Sequence, residues 1–273
     1  MSELAEKVQR DLVEAINNDD LVLPTLPEVA LQIRKAAEDP EISVSALSKV
    51  IGRDTALTAR LIKVVNSPLL RATQEVTDLH TAITRLGINY SSNLAIGLVM
   101  EQIFNASSAV VQQKMRDVWR RSLEIAGVSY ALCRNYTCLK PDQAALGGLV
   151  HQIGVLPILT YAEEHYDLLS DSVSLNHVID EIHPMIGEKL LRVWDFPERL
   201  VQVPRQYLDL QRESAQVDYV DLVQVASLYC HKDTEHPLAR IDVRTVPAFK
   251  ALRIDFDDQV ACADLEENRS MFY

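Results

Sequence analysis

The residues with the most chemical reach in this chain are its seven histidines, and two of them stand at the edges of apolar runs. His151 lies in GGLVHQIGVL and His183 in IDEIHPMIGEKLLRVWDFPE. A neutral imidazole offers one lone pair to a proton or a metal. Taken singly, each reads as a packed or surface histidine, because a metal site needs several ligands and a carboxylate to offset the dication. The run His231 to His236, HKDTEH, gathers two His, an Asp and a Glu. Its spacing fits no standard site and Pro237 follows, so it reads as a solvated loop. Cys133 and Cys138 are spaced C-x4-C with no second pair at a zinc spacing, and Cys230 and Cys262 stand apart. All four read as reduced thiols rather than a disulfide framework. G-x-G-x-x-G, G-x-x-x-x-G-K-[ST], G-x-S-x-G and H-E-x-x-H do not occur. Nucleophilic catalysis, dinucleotide cofactors and P-loop nucleotides therefore have no foothold, and no cofactor is expected.

Nucleic-acid binding has one candidate. Ser43 to Pro68 could form two short helices around Gly52-Arg53-Asp54, the second carrying Arg60 and Lys63. A DNA-reading helix shows more cationic and amide residues than ALTARLIKVVN does. Ala56, Leu57, Leu61, Val64 and Val65 look like core positions instead. Charge agrees: 27 bases against 39 acids give a formal net charge of −12, which opposes bulk attraction to nucleic acid or anionic lipid.

The elements that must position these residues read as helices. The chain has 273 residues, 48% of them hydrophobic and 24% charged, enough for a sizeable core without staples. Only 8 are Gly, too few for many tight β-turns, and no long period-2 run of β-branched residues appears. Leu4, Val8, Leu12 and Ile16 form one helical stripe ending at Asn17-Asn18-Asp19-Asp20. Pro27 opens a helix that Asp39-Pro40 stops. Ser43 and Asp54 can cap the next two, and Asn66-Ser67-Pro68 ends the second, with the Asn66 amide free to bond backbone groups at that end. A short helix over Leu79, Ile83 and Leu86 stops at Gly87, and a longer apolar one runs from about Asn89 to Phe104. Asn105-Ala106-Ser107-Ser108 is the best internal boundary. Beyond it come a pattern from Val110 to Tyr136 that is one helix or two, a helix from Pro141 to Val150, and one from Gly154 to Glu164. Helices over His177–Ile182 and from Pro184 to Trp194 follow, then one after Pro197 and one from Asp218 to His231. The stretch from Ile241 to Tyr273 is weaker and acidic (Asp255, Asp257, Asp258, Asp264, Glu266, Glu267) and reads as a solvated helix face and tail. The N-terminus is charged throughout, unlike a secretory signal, and no stretch of about 18 apolar residues is evident. The expected location is the cytoplasm, away from membranes.

In order along the chain, LPTLPEVALQIRKAAEDPEISVSALSKVIGRDTALTARLIKVVNSP and TAITRLG resemble the HDOD family, the "HD-related output domain" of bacterial signalling proteins. Pro24, Pro27, Asp39, Pro40, Asp54, Asn66, Ser67, Leu86 and Gly87 carry the match. The second half continues it with Trp119-x-x-Ser122, the run Gly148 to Leu156, Glu181-Ile182-His183 with Gly187, and Trp194-x-x-Pro197-Glu198. The resemblance spans about residues 20–230. It implies an all-α, two-lobed fold of roughly a dozen helices: an N-terminal amphipathic helix (1–18), an HDOD domain (19–235, with lobes at 19–105 and 109–235) and an acidic extension (236–273).

The resemblance also relates the chain to HD phosphohydrolases, which hold divalent metal with His and Asp. Residue by residue, that set is degraded. Arg121 stands at the first His place, Gln152 replaces the Asp beside His151, His183 survives, and later ligand places fall at Tyr207 and about Ser227. A guanidinium has no lone pair and repels a cation. Asp218 and Asp221 lie one to two helical turns before the last place. The expectation is no metal and no catalysis, with Arg121 as a fixed cation paired to Glu124, Asp180 or Glu181. The resemblance implies a regulator acting by protein contact, with two-component or cyclic-dinucleotide signalling proteins as partners in trans. A metal-dependent phosphohydrolase of nucleotides or phosphodiesters is the alternative, and DNA binding through residues 43–68 the third.

Overall fold

Ser43 and Asp54 act as the sequence predicts: each side chain accepts a backbone N–H three residues on, at 3.1 and 2.9 Å, and starts a helix. A computed structural model of the chain describes residues 3–18, 23–67, 70, 74–254 and 259–272. Pro68, Asp19, Asp20, Asp255, Asp257 and Asp258, to which the sequence assigns helix ends or acidic character, lie outside the described residues. Every regular element among the described residues is helical.

The first lobe comprises α2 (Glu28–Ala37), α3 (Val44–Ile51), α4 (Thr55–Val65), α5 (Leu79–Leu86) and α6 (Ile88–Val99), the last ending in a 3-10 turn at Met100–Ile103 rather than running on to Phe104. Gly87 joins α5 to α6 at φ 84°, a conformation that favours glycine. The apolar face of α4 is buried: Leu57, Leu61, Val64 and Val65 pack into the core beside α5 and α6. Arg60 of α4 bonds the Leu98 carbonyl and pairs with Glu101. The pair α3–α4 thus packs as a core element, and the cation a DNA reader would present is already engaged.

α1 (Glu3–Asn17) does not join this lobe; it packs on α11 of the second. That lobe holds α7 (Ala109–Tyr136), α8 (Pro141–Val150), α9 (Val155–Glu164), α10 (Tyr166–Ser170), α11 (Ser172–Val193), α12 (Glu198–Gln206) and α13 (Tyr219–His231). The pattern from Val110 to Tyr136 is one helix of 28 residues. The two helices expected around Pro184 are also one, α11, with Pro184 inside it. Pro removes one ladder bond, but here it is buried in a packed interior that holds the helix together. The stretch Pro141–Glu164 corrects another expectation, since it is long and apolar enough to cross a membrane by length and composition. It is broken between α8 and α9, and 83% of it is buried in this protein, so its apolarity belongs to the core.

The C-terminal segment is not a solvated tail. α14 (Pro247–Leu252) packs on α13, and α15 (Gln259–Arg269) lies along α7. Leu265, Asn268, Met271 and Phe272 are buried. Contact with α7 is close at Gly127, where a Cβ would collide with the Asn268 carbonyl.

Candidate functional site

Three tight crossings bring the surviving histidines together. A Cβ on Gly148 would strike the Ala126 backbone of α7, one on Gly154 the His183 carbonyl of α11, and one on Gly187 the Pro204 ring of α12. The end of α8 is thereby pressed between α7, α11 and α12. His151 and His183 are both almost wholly buried there, and Tyr207 at the end of α12 is buried with them. The Tyr207 ring meets His151 edge-on at 4.9 Å and His183 at 5.8 Å between centroids.

Backbone carbonyls fix the imidazole tautomers. His151 Nδ1 lies 2.7 Å from the Gly148 carbonyl, His183 Nδ1 2.7 Å from that of Ile179, and His231 Nδ1 2.8 Å from that of Ser227. A carbonyl only accepts, so Nδ1 carries the proton and Nε2 the lone pair in each ring. Orienting bonds of this kind are what metal-ligating histidines use. The lone pairs are spent differently. Tyr207 donates its hydroxyl to His183 Nε2 at 2.8 Å, and its oxygen accepts a long bond of 3.5 Å from the Gln152 amide. His151 Nε2 is buried without a partner. Burial drives the three imidazoles toward neutrality, His151 down to about 3 and His183 and His231 to about 4. The Gly148, Ile179 and Ser227 carbonyls act against that drop, while the positive charges of His183, His231 and Arg121 deepen it at His151. Burial also raises the Tyr207 phenol above its ordinary value.

Arg121 is one-quarter exposed on α7, next to this cluster. Its guanidinium donates to Glu124 one turn on and to the Cys230 carbonyl at 3.0 Å. Arg269 of α15 reaches the same Glu124 oxygen at 3.0 Å. Of the partners the sequence offered Arg121, Glu124 takes the role and Asp180 and Glu181 do not. Asp218 and Asp221 are absorbed elsewhere: they form a reciprocal cap on α13, and both pair with Arg212. Ser227 is buried on α13, and its hydroxyl has no partner.

The sequence reading missed His231. It is the buried last residue of α13, not part of a solvated loop, and its ring lies 4.2 Å from that of the more exposed His236. The apolar run LVQVASLYC, which continues without a break into His231, was the available signal. Arg269 carried no such signal, because its role depends on how α15 docks.

A divalent metal does not fit this arrangement. One of the two retained lone pairs is capped by a phenol, a guanidinium stands at a ligand place, and the acid places hold an amide and a hydroxyl. Among the described residues, no group of three or more His, Cys, Asp and Glu side chains is placed to hold a metal ion.

The motif residues of the first lobe lie away from this cluster and do structural work. Trp194 donates its indole N–H to the Pro24 carbonyl at 3.0 Å, and Arg34 donates to the Trp194 carbonyl, so the two lobes are tied together through motif residues of both. Asn66 brackets the backbone of Val76, donating to its carbonyl at 2.7 Å and accepting its N–H at 2.9 Å. That bond spans a loop rather than closing the helix end where Asn66 sits. Asp54 also accepts from Gln102, and Asp39 accepts the Glu41 N–H. Pro27 and Pro197 precede the first turns of α2 and α12, Pro40 is exposed, Leu86 is half-buried, and Ser67 is buried with an unpartnered hydroxyl.

The sequence profile of the HDOD domain matches residues 23–209. A protein from Shewanella amazonensis SB2B, provisionally named a metal-dependent phosphohydrolase, is 28% identical and superposes with a TM-score of 0.88 over 98% of this chain and 99% of its own. An HDOD domain protein of unknown function from Geobacter sulfurreducens shares the fold at 20% identity and a TM-score of 0.71, over 99% of this chain and 97% of its own. An uncharacterised protein from Treponema pallidum (strain Nichols) is 26% identical over 203 residues, 69% of this chain. The match takes in 38% of that relative, so this chain spans well under half its length.

Proposed function

The chain belongs to the HDOD domain family, and from that premise we propose that it is a non-catalytic regulatory protein of bacterial signal transduction, acting in the cytoplasm through contacts with other proteins. The observation that carries this reading is the Tyr207 hydroxyl on His183 Nε2. It occupies the lone pair a metal would need, in a pocket where neither Gln152 nor Ser227 supplies charge and Arg121 opposes a cation. The residues around His151 offer no activated nucleophile and no carboxylate for general acid–base work. With catalysis unsupported, the conserved chemistry of a regulator reduces to shape: two lobes held in one relation by Arg34, Trp194 and Pro24.

The test is hydrolysis of bis-p-nitrophenyl phosphate in the presence of Mn²⁺, Fe²⁺, Ni²⁺ or Zn²⁺, with His151→Ala alongside. The expected result is the same background rate for both proteins. Metal-dependent turnover lost in His151→Ala contradicts the reading.

A second reading, a metal-dependent phosphohydrolase, is favoured by the likeness to the Shewanella protein. It requires Tyr207 to leave His183 and a carboxylate to enter the site. The same assay decides between the two.

A further inference from the structure

A cleft of about 360 Å³ separates the lobes on the face away from the histidine cluster. One side is built by α2 and α6 of the first lobe, the other by the start of α8 and the turn from α11 into α12. Its interior polar groups are incompletely used. Gln143 and Ser92 both line it, both are more than nine-tenths buried, and neither Gln143 Oε1 nor Ser92 Oγ has a hydrogen-bond partner. A buried acceptor and a buried hydroxyl without partners are costly in a packed core. Their neighbours are apolar: Ile96, Leu146 and Leu200 line the same cleft, with the half-buried Phe196 ring beside them.

We propose that this inter-lobe cleft binds a nucleobase or nucleoside, a flat neutral heterocycle whose N–H edge meets Gln143 and Ser92 and whose face lies on Phe196. Three features fix the class. Flat apolar walls with a few convergent polar atoms suit an aromatic ring that carries an amide-like edge. The volume lies at the low end for small-molecule sites, which suits a nucleoside and is too small for a dinucleotide. Charge argues against a polyanion. Arg34 and Lys140 line the cleft, but so do Glu38, Asp142 and Asp195, and Asp142 is buried with its carboxylate held by Asn93 at 2.6 Å.

The site stands apart from the question of catalysis, since it shares no residue with the His151–His183–Tyr207 cluster. Its place gives it a consequence. A ligand touching α6 on one side and α8 on the other bridges the lobes, at the turn where Arg34 grips the Trp194 carbonyl. Asp195, next in that turn, holds a left-handed φ of 54°, a conformation uncommon outside glycine. Ligand binding and the relation of the lobes are therefore coupled through one short segment.

Isothermal titration calorimetry tests the assignment. The probes are adenosine, guanosine, cytidine and uridine, their free bases and their 5′-monophosphates, each up to about 1 mM, a concentration that registers even weak specific binding. The expected result is saturable one-to-one binding of at least one base or nucleoside, with its monophosphate binding no tighter. Gln143→Leu should weaken that binding by about tenfold or more, as loss of a buried bond does. Gln143 is buried, so Phe196→Ala, on the surface turn, serves as a second variant, and its affinity should fall while its melting midpoint stays close to the parent's. Arg120→Ala, remote from the cleft, should bind like the parent. The proposal is overturned if no base or nucleoside binds, if binding survives both cleft substitutions unchanged, or if the monophosphate binds about tenfold tighter than the nucleoside, which would make the cleft an anion site.

Discussion

At the scale of single residues, the buried groups of the second lobe behave as parts of the core whose chemistry has been turned inward. Arg121 illustrates this. It is one-quarter exposed and shares Glu124, 14% exposed, with Arg269. Arg121→Ala leaves Glu124 with one partner and the Cys230 carbonyl with none from this group. It should cost about 1–2 kcal/mol, less than breaking an isolated buried pair, because Arg269 remains. Arg120 pairs with Asp117 on the surface, both about half-exposed or more, and Arg120→Ala should cost well under about 1 kcal/mol. Denaturant titration of the two variants measures the difference; equal, negligible effects would show that Arg121 is no fixed cation. Acid provides a second prediction. Histidines in the unfolded chain take up protons below about 6.5, whereas His151 stays neutral to about 3 and His183 and His231 to about 4. Between these limits the unfolded state binds more protons, so stability falls as pH falls, by up to about 1.4 kcal/mol per pH unit for each histidine. Unfolding free energies at pH 7, 6 and 5 should decline accordingly. His231→Gln, with no proton to take, should decline less steeply; parallel slopes would mean that His231 titrates freely.

At the scale of elements, local rules were legible and long-range docking was not. The caps of α3 and α4 could be read because Ser43 and Asp54 act within three residues of themselves. The role of Asn66 was half-legible: its type announced a backbone bond, but the partner, Val76, lies ten residues on across a loop. Asn66→Ala removes both bonds and should cost about 1–2 kcal/mol, seen as a fall in melting midpoint of a few degrees. An unchanged midpoint would show that the loop holds without them. Pro184 misled the reading because proline is a helix breaker by local rule, and only the surrounding interior reverses that. The acidic C-terminal segment misled it for a related reason. Charge composition reports the exposed face of α15, while Leu265, Asn268 and the following Met271 and Phe272 supply the buried one. A glycine in mid-helix at 127 was the only mark on α7 of the place where that face lands.

At the scale of the whole molecule, the family pattern and the degraded metal set describe two different things. Pro24, Trp194 and Arg34 keep the lobes in register, and this part of the architecture follows from motif residues legible in the sequence. The neutral, buried state of the histidine cluster was legible only as a list of replaced ligand positions. The bond that accounts for it, Tyr207 to His183, joins residues 24 apart on separate helices and emerges only when α11 and α12 pack. The account's central claim is that this packing leaves no place for a cation. It is tested most directly by metal analysis of the protein purified without chelators from cells grown with added Mn, Fe, Ni and Zn. The account predicts well under one equivalent of any of the four, unchanged in His151→Ala, because the cluster lacks both free ligands and charge. A full equivalent of one metal that disappears in His151→Ala would contradict it.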